Sequence, residues 1–129
     1  MKNIILLTTF ILSACFANAQ HGSFDKRLLS KFSETELKEM QLKNPDTYAY
    51  WNFYTANAYQ ITDLPSEKSN AHEIKGTIKL SDINSVNIFD LHFTPSVKDY
   101  QYYRIEGSNK LLVIISEEQI KDRYKKSVK

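Results

Sequence analysis

Cysteine is nearly missing from this chain: Cys15 is the only one in 129 residues. A single thiol excludes an internal disulfide framework and every Cys-Cys or Cys-His zinc spacing. Glycine is almost as scarce, with Gly22, Gly76 and Gly107 scattered singly, which leaves no P-loop and no G-x-G-x-x-G phosphate cradle. An excess of one charge is missing too. Removing Lys2 with a leader peptide takes the 17 basic residues to 16 against 15 acidic ones, a net charge near +1. That balance gives no electrostatic push toward nucleic acid. Apolar runs stop at about 13 residues, short of the roughly 18–20 that a membrane-crossing helix needs. Repeats, low-complexity tracts and linkers are also lacking, so one domain is expected.

What is present begins with an export signal over residues 1–19. Lys2 supplies a positive start, residues 4–16 are apolar apart from Thr and Ser, and Ala17-Asn18-Ala19 puts small residues before Gln20. Leu12-Ser13-Ala14-Cys15 offers a competing signal, a lipobox in which Cys15 would carry the lipid. Phe16 after the cysteine, and an apolar core that continues past it, favour cleavage after Ala19. The expectation is a periplasmic or secreted protein, with a membrane-anchored lipoprotein through Cys15 as the alternative. The remaining domain, residues 20–129, is about 110 residues, enough to bury well over half its surface without crosslinks.

Phe24, Leu28 and Phe32 recur at helical period. Ser33-Glu34-Thr35-Glu36 is a capping box, so a new helix starts near Glu34 and stops before Pro45. Asn44-Pro45-Asp46 then reads as cap, first helical position and first-turn acid of a third helix over 45–58. Its aromatic run, Tyr48, Tyr50, Trp51, Phe53 and Tyr54, leaves a strand as the competing reading.

Beyond it the apolar period shortens to two. Strands are expected at 59–62, 74–80, 86–93, 100–106 and 110–115, the last two joined by a turn at Gly107-Ser108-Asn109. Leu111 to Ile115 are apolar on both faces, which places that strand at the centre of the sheet. Ser116-Glu117-Glu118-Gln119 is a second capping box and opens a C-terminal helix, with Glu117–Lys121 and Asp122–Lys126 at ion-pair spacing. The expected fold is α+β: N-terminal helices, an antiparallel meander of four to five strands, then a helix.

The stretch YYRIEGSNKLLVIIS (102–116), preceded by INSVNIFDL (83–91), together with a leader ending Ala-Asn-Ala-Gln, resembles short exported envelope proteins of Bacteroidota. The likeness covers roughly the last 50 residues and the leader. It implies an envelope location and carries no activity, cofactor or site with it.

Chemistry-bearing residues are few. His21, His72 and His92 form no HxH or HxxxH spacing, and Ser108 lies in no G-x-S-x-G elbow. Residues 82–93 match a calcium loop only faintly, with no glycine at the sixth position and Phe93 at the twelfth. No metal or cofactor is expected. Asp90 and His92 would share a strand face, and with His72 they are the one grouping around which the alternative, a small exported enzyme, would be assembled. Tyr50, Trp51 and Tyr54 are the strongest candidates for a binding surface, their rings suited to a protein partner or a glycan, although a core seam would use them equally well. Five basic residues among the last nine, Lys121, Arg123, Lys125, Lys126 and Lys129, read as a solvated tail. The leading expectation is a non-enzymatic exported protein with an envelope protein or glycan as partner.

Overall fold

The computed structural model describes residues 22–64 and 73–129. The export signal with Cys15, His21, His72 and the polar loop 66–70 lie outside the described residues.

Three short helices lead the chain. In α1 (Lys26–Leu29), Asp25 caps the start by accepting a hydrogen bond from the Arg27 amide at 2.9 Å. The helix is one turn long, so Phe24 and Phe32 lie outside it and the expected three-residue stripe is interrupted. The amides of Lys31 and Phe32 both close on the Leu28 carbonyl, and this turns the chain. In α2 (Glu34–Lys43) the Ser33/Glu36 capping box forms in full, the Ser33 amide donating to Glu36 Oε2 at 2.7 Å. The third helix, α3 (Pro45–Asn57), settles the aromatic run as helical. Asn44 does not cap it with its side chain. That residue also closes α2, its amide bonded to the Met40 carbonyl at 2.8 Å, and Pro45 alone sets the new start.

The sheet has four strands: β1 (Tyr59–Asp63), β2 (Ile74–Ile78), β3 (Gln101–Ile105) and β4 (Lys110–Ile114), in the order β1-β4-β3-β2. The expected meander is therefore corrected. β4 pairs antiparallel with both β1 and β3, but β2 runs parallel to β3. Residues 86–93, expected as a strand, form none. They carry a 3-10 turn, Ile88–Leu91, opened by the Asn87 side chain, which accepts from the Phe89 amide, and closed by His92 in the left-handed region at φ 52°. Because β1 and β3 both oppose β4, and β2 runs with β3, the first three strands all run the same way and direction alternates only at the β3–β4 hairpin. The connection 79–100 has the dozen or more residues that a parallel crossover requires.

β4 is central, as its apolar run requires. Leu111 to Ile115 are buried without a break, and since successive side chains point to opposite faces, the strand is covered on both. Tyr54 of α3 and Ala58 just after it, Ile88 of the 3-10 turn, and Ile120 of α4 (Glu117–Ser127) join this core. The Ser116 hydroxyl caps α4 by accepting from the Gln119 amide. The amides of Glu117 and Glu118 donate to the Ser96 and Val97 carbonyls, pinning the crossover to the start of α4. The hairpin between β3 and β4 turns through Gly107 at φ 71°, a conformation that glycine adopts without strain.

Candidate functional site

Helical spacing puts Tyr50, Trp51 and Tyr54 side by side on α3. Four segments close around them: the turn after α1, α3, the 3-10 turn and the first turn of α4. Together they leave a cleft of about 730 Å³. Tyr54 forms its floor at 8% exposure, while Tyr50 and Trp51 are half-buried. The rings hold one another at fixed angles. Trp51 meets Tyr54 edge-on at 5.3 Å and Phe32 at the same distance, and Tyr54 stacks on Phe89 at 5.8 Å with 20° between planes. Such pairs contribute on the order of 1 kcal/mol each beyond the area they bury.

Polar groups sit around this apolar floor. The Lys31 ammonium lies over three rings at once, 4.9 Å from the Trp51 centroid and 5.5 Å from those of Phe32 and Phe89. On the opposite wall Glu117 pairs with Lys121 at 3.5 Å, the i,i+4 bridge expected from spacing. Burial pushes the Tyr54 phenol up to about 12, with Tyr50 and the Glu117 carboxylate adding to the effect. The Tyr50 phenol is raised for the same reasons, burial first and Glu117 second. No hydrogen bond among the described residues engages the Tyr54 hydroxyl. The wall formed by the 3-10 turn is locked by Asn87, whose amide nitrogen donates to Ser30 Oγ at 2.7 Å and to Asp90 Oδ2 at 2.9 Å.

The residues singled out from sequence divide. Tyr50, Trp51 and Tyr54 come together at the cleft. Trp51 and Tyr54 also serve the core seam, so the functional and packing readings of this cluster describe two sides of the same rings. His92 lines the cleft rim and is exposed, while Asp90 faces a separate hollow of about 140 Å³ beside Asp82 and Asn87. The shared strand face expected for His92 and Asp90 does not exist, because 86–93 is not a strand. Sequence reasoning missed Lys31, Phe89 and Glu117 as members of the cleft. Their positions along the chain give no sign of that meeting, which only the tertiary fold creates.

A second hollow, about 720 Å³, lies between Glu73, Lys75, Lys98, Asp99 and Gln101. Its lysine and glutamate at 75 and 73 pair with each other at 3.2 Å. Gln101 gives its amide hydrogen to the Thr94 carbonyl, while its buried oxygen has no partner among the described residues. Tyr100 and Tyr102 also line this hollow, but its charged side chains are two of each sign, so it lacks the net charge of the aromatic cleft and is the weaker candidate. Among the described residues, no group of three or more His, Cys, Asp or Glu is placed to hold a metal ion, and no helix is long and apolar enough to cross a membrane. No family model matches the chain, and no match is found among curated proteins or solved structures.

Proposed function

We propose that this chain acts outside the cytoplasm as a non-enzymatic binding protein, with the aromatic cleft at Tyr50, Trp51 and Tyr54 as its site. The observation that carries the proposal is the cleft itself. It combines a volume typical of small-molecule sites, rings half open to solvent, and a rim of polar groups at Lys31, Glu117 and His92. Export rests on the leader over residues 1–19, with cleavage after Ala19 giving a soluble periplasmic or secreted protein and lipidation of Cys15 giving an anchored one. Binding is favoured over catalysis because the cleft's carboxylate is engaged by Lys121 and the Asp90 carboxylate faces elsewhere.

Two measurements test this. Intact mass and fractionation of the protein from its host should find a chain beginning at Gln20, or at an acylated Cys15. Full-length chain in the cytoplasm would overturn the location. Trp51 is the only tryptophan, so its emission reports on the cleft directly. A panel of saccharides and small envelope metabolites should include members that shift that emission. Tyr50→Ala should weaken such binding by about tenfold or more, given roughly 1.5–3 kcal/mol for a buried aromatic contact. An emission that no panel member moves would refute the site.

A further inference from the structure

We infer that the aromatic cleft takes an acidic saccharide, the sugar ring stacking on the Trp51 side of the floor and its carboxylate pairing with Lys31. This rests on the binding reading above and names its ligand class.

The first argument is charge. Of the two lysines on the cleft, Lys121 is matched by Glu117 at 3.5 Å. Lys31 makes no ion pair among the described residues, and its ammonium instead rests over Phe32, Trp51 and Phe89. The cleft therefore carries one uncompensated positive charge, held at its apolar mouth. A cation over exposed rings gains only about 0.5–1 kcal/mol, and its three N–H donors stay free for an anion. Charge-assisted hydrogen bonds to a carboxylate are stronger than that. An arriving acid can thus draw Lys31 from the ring faces, and this movement opens the faces for stacking.

The second argument is the floor. Tyr54 is more than nine-tenths buried, and its hydroxyl has no hydrogen-bond partner among the described residues. Tyr54 and Glu117 both line the cleft, near enough for the carboxylate to raise the phenol. A phenol and a carboxylate beside aromatic faces suit a ligand that is apolar on one face and bears hydroxyls at its edge, as a pyranose does. A purely apolar anion, such as a fatty acid, would leave the Tyr54 hydroxyl unsatisfied on binding. A quaternary ammonium fits three rings in shape, but the protein's own cation already occupies that place and would be forced against the newcomer.

The test uses the full mature chain, Trp51 emission, and oligogalacturonate compared with its methyl-esterified form, the same sugar without its charge. The acidic form should bind at least about tenfold more tightly at low salt, the scale of a charge-assisted contact, and the gap should narrow as salt rises. Lys31→Met keeps the apolar stem and should erase the preference, the two forms then binding with equal affinity at every salt concentration. Tyr54→Phe should weaken both sugars alike. Equal affinity for the two forms in the natural protein would overturn the acidic assignment and leave the glycan cleft standing. Failure of both sugars, with emission moved by tetramethylammonium, would overturn it in favour of a cation cage. Failure of all three would overturn it outright, and the wider panel then decides separately whether the cleft binds anything.

Discussion

Tyr54 works at the boundary between core and cleft, and its phenol carries a consequence for pH. Burial, with help from Tyr50 and Glu117, raises it from the ordinary 10.0 to about 12. A raised folded value means the neutral phenol is favoured by folding. The corresponding stability is fully present below pH 10 and is lost as pH climbs from about 10 to about 12. The loss should reach on the order of 2–3 kcal/mol, at 1.36 kcal/mol per pH unit of difference. Phenolate absorbance should show Tyr54 among the late-titrating tyrosines of the folded protein, beside Tyr50 and Tyr102, and Tyr54→Phe should remove its step and much of the alkaline destabilisation. A Tyr54→Phe variant with an unchanged alkaline profile would show that another group is responsible. Asp25 works in the opposite direction at acid pH. The Arg27 guanidinium, 2.7 Å away, holds its carboxyl below the ordinary 3.8, so its contribution is present above that pH and fades as pH falls further. Arg27 also donates to the Thr55 carbonyl at 3.1 Å, so this pair fastens α1 to α3.

Among the elements, the 3-10 turn Ile88–Leu91 is where pattern and structure part company. Phe89, Leu91 and Phe93 alternate with Asp90 and His92 as a strand would. The decisive residues are the polar ones. Asn87 offers its side chain to the Phe89 amide in place of a strand partner, and His92 takes a left-handed conformation that ends the turn. A left-handed residue with a Cβ costs about 1–2 kcal/mol, part of which glycine gives back as extra freedom in the unfolded chain. His92→Gly should therefore stabilise the protein by about 0.5–1 kcal/mol, read as a higher denaturant midpoint with an unchanged slope. A lower midpoint would mean that the imidazole makes a contact worth more than the strain. The signals that read correctly are those written in a few adjacent residues: the Ser33–Glu36 box, Pro45 at a helix start, and Gly107 in the hairpin. The cleft was half legible, because Tyr50, Trp51 and Tyr54 share one helix. Lys31, Phe89 and Glu117 come from three other segments and become its neighbours only when α1, the 3-10 turn and α4 converge. The parallel pairing of β2 with β3 was hidden for a related reason, since it depends on the long crossover 79–100, where the expected strand 86–93 does not form.

At the scale of the whole molecule, one strand organises everything else. β4 lies between β1 and β3, and its side chains reach both faces, so α3, α4 and the crossover join it in one core, while Leu28 of α1 and Leu37 of α2 are buried outside that cluster. No crosslink supplements this packing within residues 20–129, which contain no cysteine. Domains of this kind are stable by about 5–15 kcal/mol in total, and truncating a buried leucine to alanine costs about 2–5 kcal/mol. Leu112 is fully buried on β4, opposite Ile61 of β1 and Tyr103 of β3. Leu112→Ala should thus remove a large share of the margin and bring the unfolding transition down steeply, with the cleft lost in the same step because its walls have no independent support. Leu42→Ala is the matched control: at 83% exposure on α2 it should shift stability by no more than about 0.5 kcal/mol. Denaturant unfolding followed by Trp51 emission and by far-ultraviolet dichroism reads both at once. Coincident transitions in the Leu112 variant are expected from one cooperative core, whereas an emission change that precedes the dichroism change would mean that the aromatic cleft is a separable unit resting on the sheet.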